Sequence, residues 1–154
     1  MTMKDILLAK EGRIGRKQFW MGTLVLFAIS LLVIIPLVLF FYILGLISLL
    51  LFGLIGLVFY YPTYCLYAKR RHDRNKSGLL VIIYLGLTLV STLLSVLIVP
   101  SDPTAIETAF DNPLFWVPQV ANIVMGVFAL YLLVVCGFLK GTDGPNQYGP
   151  DPLA

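Results

Sequence analysis

The chain has 154 residues, 59% of them hydrophobic and 12% charged, with 11 Lys/Arg, 8 Asp/Glu and one His for a formal net charge of +3. Its mean hydropathy is +0.93. Soluble domains carry roughly a quarter of charged residues, so this balance excludes an ordinary soluble fold and points to a single membrane domain. No charged residue occurs from Phe19 through Ala68, a run too long for one bilayer crossing of about 20 residues and long enough for two.

Along the chain, residues 1–18 hold Lys4, Lys10, Arg13, Arg16 and Lys17 against Asp5 and Glu11. Met3, Ile6 and Leu7 fall at i, i+3 and i+4, which predicts a short interfacial helix with that face on the membrane. The first spanning helix is expected over about 19–42. This run exceeds the apolar core of a secretory signal and lacks a small-x-small cleavage site, so it reads as an uncleaved membrane helix. Pro36 lies inside it and predicts a kink. Gly45 is the expected turn, and a second helix follows over about 46–67 with a charged stop at Lys69, Arg70 and Arg71.

Ser77 is the expected N-cap of a third helix over about 78–99, which "VPSDP", with Pro100 and Pro103, brings to an end. The stretch "SDPTAIETAFDNPLFW" carries Asp102, Glu107 and Asp111 without a base and reads as a polar loop. A fourth helix opens near Trp116, with Pro118 in its first turn, and runs to about 139 (117–139). The tail "KGTDGPNQYGPDPLA" is rich in Gly and Pro and predicts turns. The fold class expected is therefore all-α, a four-transmembrane-helix bundle in one membrane domain over 1–154.

Five basic residues lie in 1–18, five lie between Lys69 and Lys76, and Lys140 is in the tail, which accounts for all eleven. The loop between helices three and four has none. Four crossings put the three basic segments on one side, and the positive-inside rule makes that side the cytoplasm, with both termini there. Phe19, Trp20, Tyr60, Tyr61, Tyr64 and Tyr67 fit an inner aromatic belt, and Phe115 and Trp116 an outer one. Cys65 and Cys136 both lie in apolar segments near the inner side, which disfavours a disulfide and suits small buried hydrophobes.

The stretch "YAKRRHDRNKSGLL" (67–80) then lies beside the cytoplasmic helix ends. The amino ends of helices one and three add partial positive charge to Arg13, Arg16, Lys17, Arg74 and Lys76, making an anion-favouring surface. "NKSG" lacks the upstream glycine and preceding strand of a phosphate loop. His72 with Asp73 lacks a second His or a carboxylate cluster for metal. Thr88, Ser91, Thr92 and Ser95 share one face of helix three and read as helix packing, as do Gly53, Gly56, Asn122 and Gly126. No ionisable residue lies within the four expected spans, which counts against an ion or proton pump.

Three motifs in order, "GRIGRKQFW" at 12–20, "KRRHDRNKSG" at 69–78 and "GTDGPNQYGPDP" at 141–152, together resemble domain of unknown function 805, a family of small bacterial inner-membrane proteins. The resemblance spans nearly the whole chain. Its pattern falls on Gly12, Arg13, Arg16, Phe19 and Trp20, then on Arg70, His72, Asp73, Ser77 and Gly78, then on Gly144, Pro145, Asn146, Tyr148, Gly149 and Asp151. The chain departs from it at Lys69, Arg71, Leu79 and Leu80. The resemblance implies a multi-pass protein of the bacterial inner (plasma) membrane and lends no activity.

Topology needs positive charge but has no use for His-Asp, Ser-Gly or the tail motif, so a packed cytoplasmic cap is expected. In it the tail folds back on residues 70–78 and 13–17, and Asp73 or Asp151 pairs with an arginine. The candidate cap residues are Arg13, Arg16, Arg70, His72, Asp73, Lys76, Ser77, Asn146 and Tyr148, binding anionic inner-leaflet lipid, a protein partner or a second copy. No enzymatic activity, cofactor, metal or nucleic-acid partner is expected. The alternatives are a small transporter or oligomeric channel along the Thr88–Ser95 face, and an enzyme using His72 with Asp73 on a lipid phosphate.

Overall fold

The computed structural model describes residues 2–44, 46–99, 105 and 108–153, with the side chains at 37 and 40–52 excluded. Gly45, Pro100, Asp102, Pro103 and Glu107 lie outside the described residues, and with them the expected first turn and most of the acidic loop. The described helices are α1 (Met3–Leu8), α2 (Arg16–Leu44), α3 (Leu46–Asp73), α4 (Leu79–Ile98) and α5 (Pro113–Gly137). Among the described residues there is no strand, only one isolated bridge between Asn146 and Gly149. The protein is all-α.

Among the described residues, three stretches are long and apolar enough to cross a membrane: Arg16–Pro36 within α2, Leu79–Ile98 and Pro113–Gly137. Their surfaces fit that solvent. Leu24, Phe27 and Leu32 on α2, Val96 and Leu97 on α4, and Ile123, Val127 and Leu130 on α5 are each more than half exposed. Water would penalise so continuous an apolar surface, whereas lipid tails cover it at no such cost.

Helix α2 opens at Arg16 rather than near Phe19, and α5 ends at Gly137 rather than near 139; two further boundaries differ from the sequence expectation, each with a local cause. The basic stretch after Tyr67 is helix, since α3 continues through Lys69, Arg70, Arg71 and His72 to Asp73. Cationic side chains suit the negative end of a helix dipole, and the turn comes only at Asn75, whose φ of 55° leaves the helical region. Helix α5 opens at Pro113 rather than Trp116. Asn112 Oδ1 accepts from the Leu114 amide at 3.0 Å, and Pro113 occupies the first helical position, where a missing N–H is no loss. Pro118 is thus the sixth residue of α5, beyond its first turn, and a further proline, Pro62, lies inside α3.

The chain divides into two compact units, residues 1–78 with 136–154, and residues 79–135. In the first, α1 packs on α2 and α3, and α2 on α3. Thr2 and Asp5 close a capping box at the start of α1, and Ile6 is buried. The core of this unit sits where α2 begins and α3 ends: Ile14, Phe19, Cys65, Leu66, Ala68 and Cys136 are all at most 1% exposed. Phe19 meets Tyr67 edge-on at 5.0 Å and Trp20 at 5.9 Å, contacts worth about 0.5–1.5 kcal/mol each beyond area burial. Both cysteines are free thiols and buried.

In the second unit, Ser91 Oγ donates to Asn122 Oδ1 at 2.6 Å, and Asn122 Nδ2 donates to Ser95 Oγ at 3.0 Å. Tyr84 packs edge-on against Phe128 at 5.4 Å. The hydroxyl face of α4 therefore bonds α5 through Asn122, while Thr88 and Thr92 bond back to carbonyls one turn earlier on α4. At Gly53, Gly56 and Gly126 a built Cβ meets nothing within 4 Å among the described residues. The close approaches fall at Gly22, under Leu66 and Ile6, and at Gly137, under the Trp20 ring.

Candidate functional site: a buried arginine–aspartate cap

The first unit ends in a polar cap joining the entry to α2, the end of α3, the end of α5 and the tail. At its centre is Asp73, 4% exposed, between Arg13 at 6% and Arg70 at 1%. Asp73 Oδ1 accepts from Arg13 Nε at 3.2 Å and Nη2 at 3.0 Å, and Oδ2 accepts from Arg70 Nη1. One carboxylate thus faces two guanidiniums, and main-chain carbonyls take the remaining donors. Arg13 Nη1 reaches Gly144 O at 2.7 Å and Gly149 O at 3.2 Å, and its Nη2 reaches Thr142 O at 2.8 Å. A fork of five donors suits such a multi-point clamp, which a lysine could not reproduce.

The carbonyls at the end of α5 have no partner within their own helix. Four in succession are met by side chains of the other elements. Arg70 Nε donates to Cys136 O at 2.6 Å, Trp20 Nε1 to Gly137 O at 3.1 Å, Arg16 Nη1 to Phe138 O at 3.3 Å, and Arg70 Nη2 to Leu139 O. The negative end of the α5 dipole therefore offsets part of the buried positive charge that Asp73 alone leaves. Burial holds the Arg70 guanidinium below its ordinary pKa, against the opposing pull of Asp73.

The tail closes the end of α3 in the same way. Thr142 donates its amide to Asp73 O at 2.8 Å and its hydroxyl to the same oxygen at 3.0 Å. Asn146 Nδ2 donates to His72 O at 2.9 Å and to Thr142 Oγ1 at 2.9 Å. Asn146 and Gly149 exchange both backbone hydrogen bonds at 3.0 Å, and Asp151 accepts from the amides of Gly144 and Leu153. Those two bonds hold the Asp151 carboxyl below its usual pKa. Gly141 lies so close to Asp73 that a Cβ there would overlap its carboxylate, so the tail crosses this point only as glycine.

His72 stacks on Tyr148 with ring centroids 4.0 Å apart and planes 3° from parallel. Its Nδ1 lies 3.2 Å from Gly12 O. A carbonyl can only accept, so Nδ1 carries the hydrogen. Burial pushes the imidazole pKa down, with Arg71 and Lys69 adding to the effect and the Gly12 bond opposing it. Gly12 has φ 91°, a conformation L side chains rarely adopt, and it aims this carbonyl at the ring. His72 and Asp73 are neighbours in sequence, but one faces Gly12 and Tyr148 while the other faces two arginines.

The candidate residues thus fall into two groups. Arg13, Arg70, His72, Asp73, Asn146 and Tyr148 are brought together inside the cap. Arg16 and Lys76 are exposed at its rim, and Ser77 is exposed, with its carbonyl accepting from Arg71 Nε at 2.7 Å. The residues that sequence reasoning left out are Thr142, Trp20 in its role as a donor, and Lys69. Lys69 is fully buried, and its ammonium donates to Asp5 O on α1; burial lowers its pKa. Thr142 stood within the quoted tail motif, whereas nothing in sequence distinguishes Lys69 from the orienting charges beside it.

Comparison with known proteins finds uncharacterized relatives. The chain is 29% identical over 158 residues to the uncharacterized protein YiiR of Escherichia coli K12, covering 98% of this chain and 90% of that protein, and the same figures hold for YiiR of Escherichia coli O157:H7. No solved structure matches. The model of the family described as protein of unknown function, DUF805, matches residues 7–150, and the chain belongs to that family.

Proposed function

We propose that this protein is a four-crossing module of the bacterial inner membrane, with both termini in the cytoplasm and no enzymatic activity, whose basic cytoplasmic face binds anionic lipid head groups. The fourth crossing would be the charge-free part of α3, about 46–67, with the basic end of that helix, Lys69 to Asp73, in the cytoplasmic cap. The positive-inside pattern supports the orientation, since all eleven Lys/Arg fall in three segments that four crossings place on one side.

The single observation that carries the binding role is the division of labour among the cations. Arg13 and Arg70 are buried in the clamp on Asp73, so they build the cap and hold its segments in place. Arg16, Lys17 and Lys76 are exposed around it, and such juxtamembrane charges contribute on the order of 1 kcal/mol each toward an anionic leaflet. A protein partner that carries acidic groups would meet the same surface.

The test is lipid retention measured by native mass spectrometry after gentle extraction, comparing wild type with the Arg16→Gln, Lys17→Gln, Lys76→Gln triple variant. None of these substitutions removes a buried group. The triple variant should retain fewer anionic lipids while zwitterionic lipids are unchanged. Identical profiles from folded proteins would defeat the reading, and loss of a copurifying protein instead would favour the partner.

A further inference from the structure

Apart from the cap, α1, α2 and α3 enclose an open groove of about 490 Å³. Lys4 and Leu7 of α1, Val25, Ile29 and Val33 of α2, and Val58 of α3 are among its walls, and every lining residue except Lys4 is apolar. Ile6 sits at the level of Gly22, where a Cβ would lie 3.1 Å from it. Val33 is eleven residues further along α2, about 16 Å at 1.5 Å per residue. The groove therefore descends from α1 into the apolar stretch Arg16–Pro36, with its one cation at the α1 end.

The α1 wall is held in place by two polar ties to α3. Tyr61 Oη donates to Leu8 O at 3.0 Å, and Lys69 Nζ donates to Asp5 O. Asp5, the acidic neighbour of Lys4, turns its carboxylate onto the start of its own helix, accepting from the Thr2 amide at 2.9 Å and hydroxyl at 2.7 Å. Those bonds hold its pKa below the usual range. Lys4 itself is exposed.

Dimensions decide what fits. On α2 the groove is lined from Val25 to Val33, eight residues or about 12 Å, so a volume of about 490 Å³ gives a mean cross-section of about 40 Å². A helix at least 10 Å across presents about 80 Å², so a helix from a second copy is too thick. A slender, wholly apolar chain fits, and the cation at the head of the groove complements an anionic group attached to it. We propose that this groove holds one acyl chain of an anionic glycerophospholipid, with the lipid phosphate paired to Lys4. The site shares no residue with the cap surface, so each can fail without the other.

The test titrates detergent-solubilised protein with phosphatidylglycerol or phosphatidylcholine of matched chains and counts bound lipid by native mass spectrometry. With Arg16, Lys17 and Lys76 changed to Gln, so that the cap surface adds no preference of its own, the protein should hold one phosphatidylglycerol in the groove with about fivefold preference over phosphatidylcholine, the factor that one juxtamembrane charge contributes. Lys4→Gln, an exposed change that leaves the fold intact, should reduce that preference to about one while a lipid is still held. Ile29→Trp fills the groove with apolar bulk and should remove this lipid of either class. The Arg16, Lys17 and Lys76 variant should leave it in place. Equal affinity of that background for both lipids would overturn the proposal. So would loss of the lipid on changing the cap cations while Lys4→Gln and Ile29→Trp have no effect.

Discussion

Replacing Asp73 by Asn removes the one carboxylate between Arg13 and Arg70 while keeping its shape. All three groups are at most 6% exposed, so the variant leaves two guanidiniums facing each other without their counter-charge. Breaking a buried ion pair in this way costs about 3–5 kcal/mol. The lower end applies here, because the Asn carbonyl still accepts one bond and both arginines keep main-chain acceptors at Thr142, Gly144, Gly149, Cys136 and Leu139. About 3 kcal/mol corresponds to roughly a hundredfold rise in local opening. The Thr142 amide, bonded to Asp73 O, and the Gly149 amide, bonded to Asn146 O, report it by hydrogen exchange. Asp143→Asn is the control. Its pair with Lys140 spans 2.8 Å but the side chains are 66% and 81% exposed, so it should change exchange by less than about fivefold. An equally small effect of Asp73→Asn would refute the clamp.

Gly141→Ala should loosen the tail by about 1–3 kcal/mol, since its Cβ would overlap the Asp73 carboxylate. Gly126→Ala, facing open space, should be neutral, and thermal unfolding in detergent compares the two. The depressed pKa of His72 gives a pH dependence of definite sign. The native ring stays neutral where the unfolded one takes up a proton, so tail protection should be constant above pH 7 and fall as pH drops below about 6.5. His72→Gln should remove that step, and a wild-type tail equally protected at pH 7 and pH 5 would count against it. Asn122→Ala leaves the buried Ser91 hydroxyl without its partner on α5 and should lower stability by about 0.6–1.7 kcal/mol. An unchanged melting temperature would count against the Ser91–Asn122–Ser95 bonds holding α4 and α5.

Hydropathy alone located the three membrane-length stretches on α2, α4 and α5, because bilayer thickness sets their length and a missing charge is visible residue by residue. It ended α3 too early. A basic run reads as a stop, yet Arg70 and His72 belong to the helix because their bonding partners, at Cys136, Leu139 and Gly12, lie far along the chain. It also opened α5 late, where Asn112 and Pro113 already formed a local start signal. The glycines show the same limit. Gly53 and Gly126 fit a small-residue spacing, yet among the described residues a Cβ at either meets nothing within 4 Å, whereas Gly141 has no periodic signal and touches Asp73.

What the sequence by itself determined was the number and place of apolar stretches, the bias of positive charge and the three polar motifs that bracket them. These are one-dimensional properties, fixed by transfer energies that act on each residue separately. Only the tertiary structure decided which cations are buried and which are exposed. Arg13 and Arg16 are alike in sequence, but one is enclosed by Asp73 and the tail while the other lies at the rim. That difference depends on where chain segments separated by 60 to 136 residues meet, and no local pattern carries it.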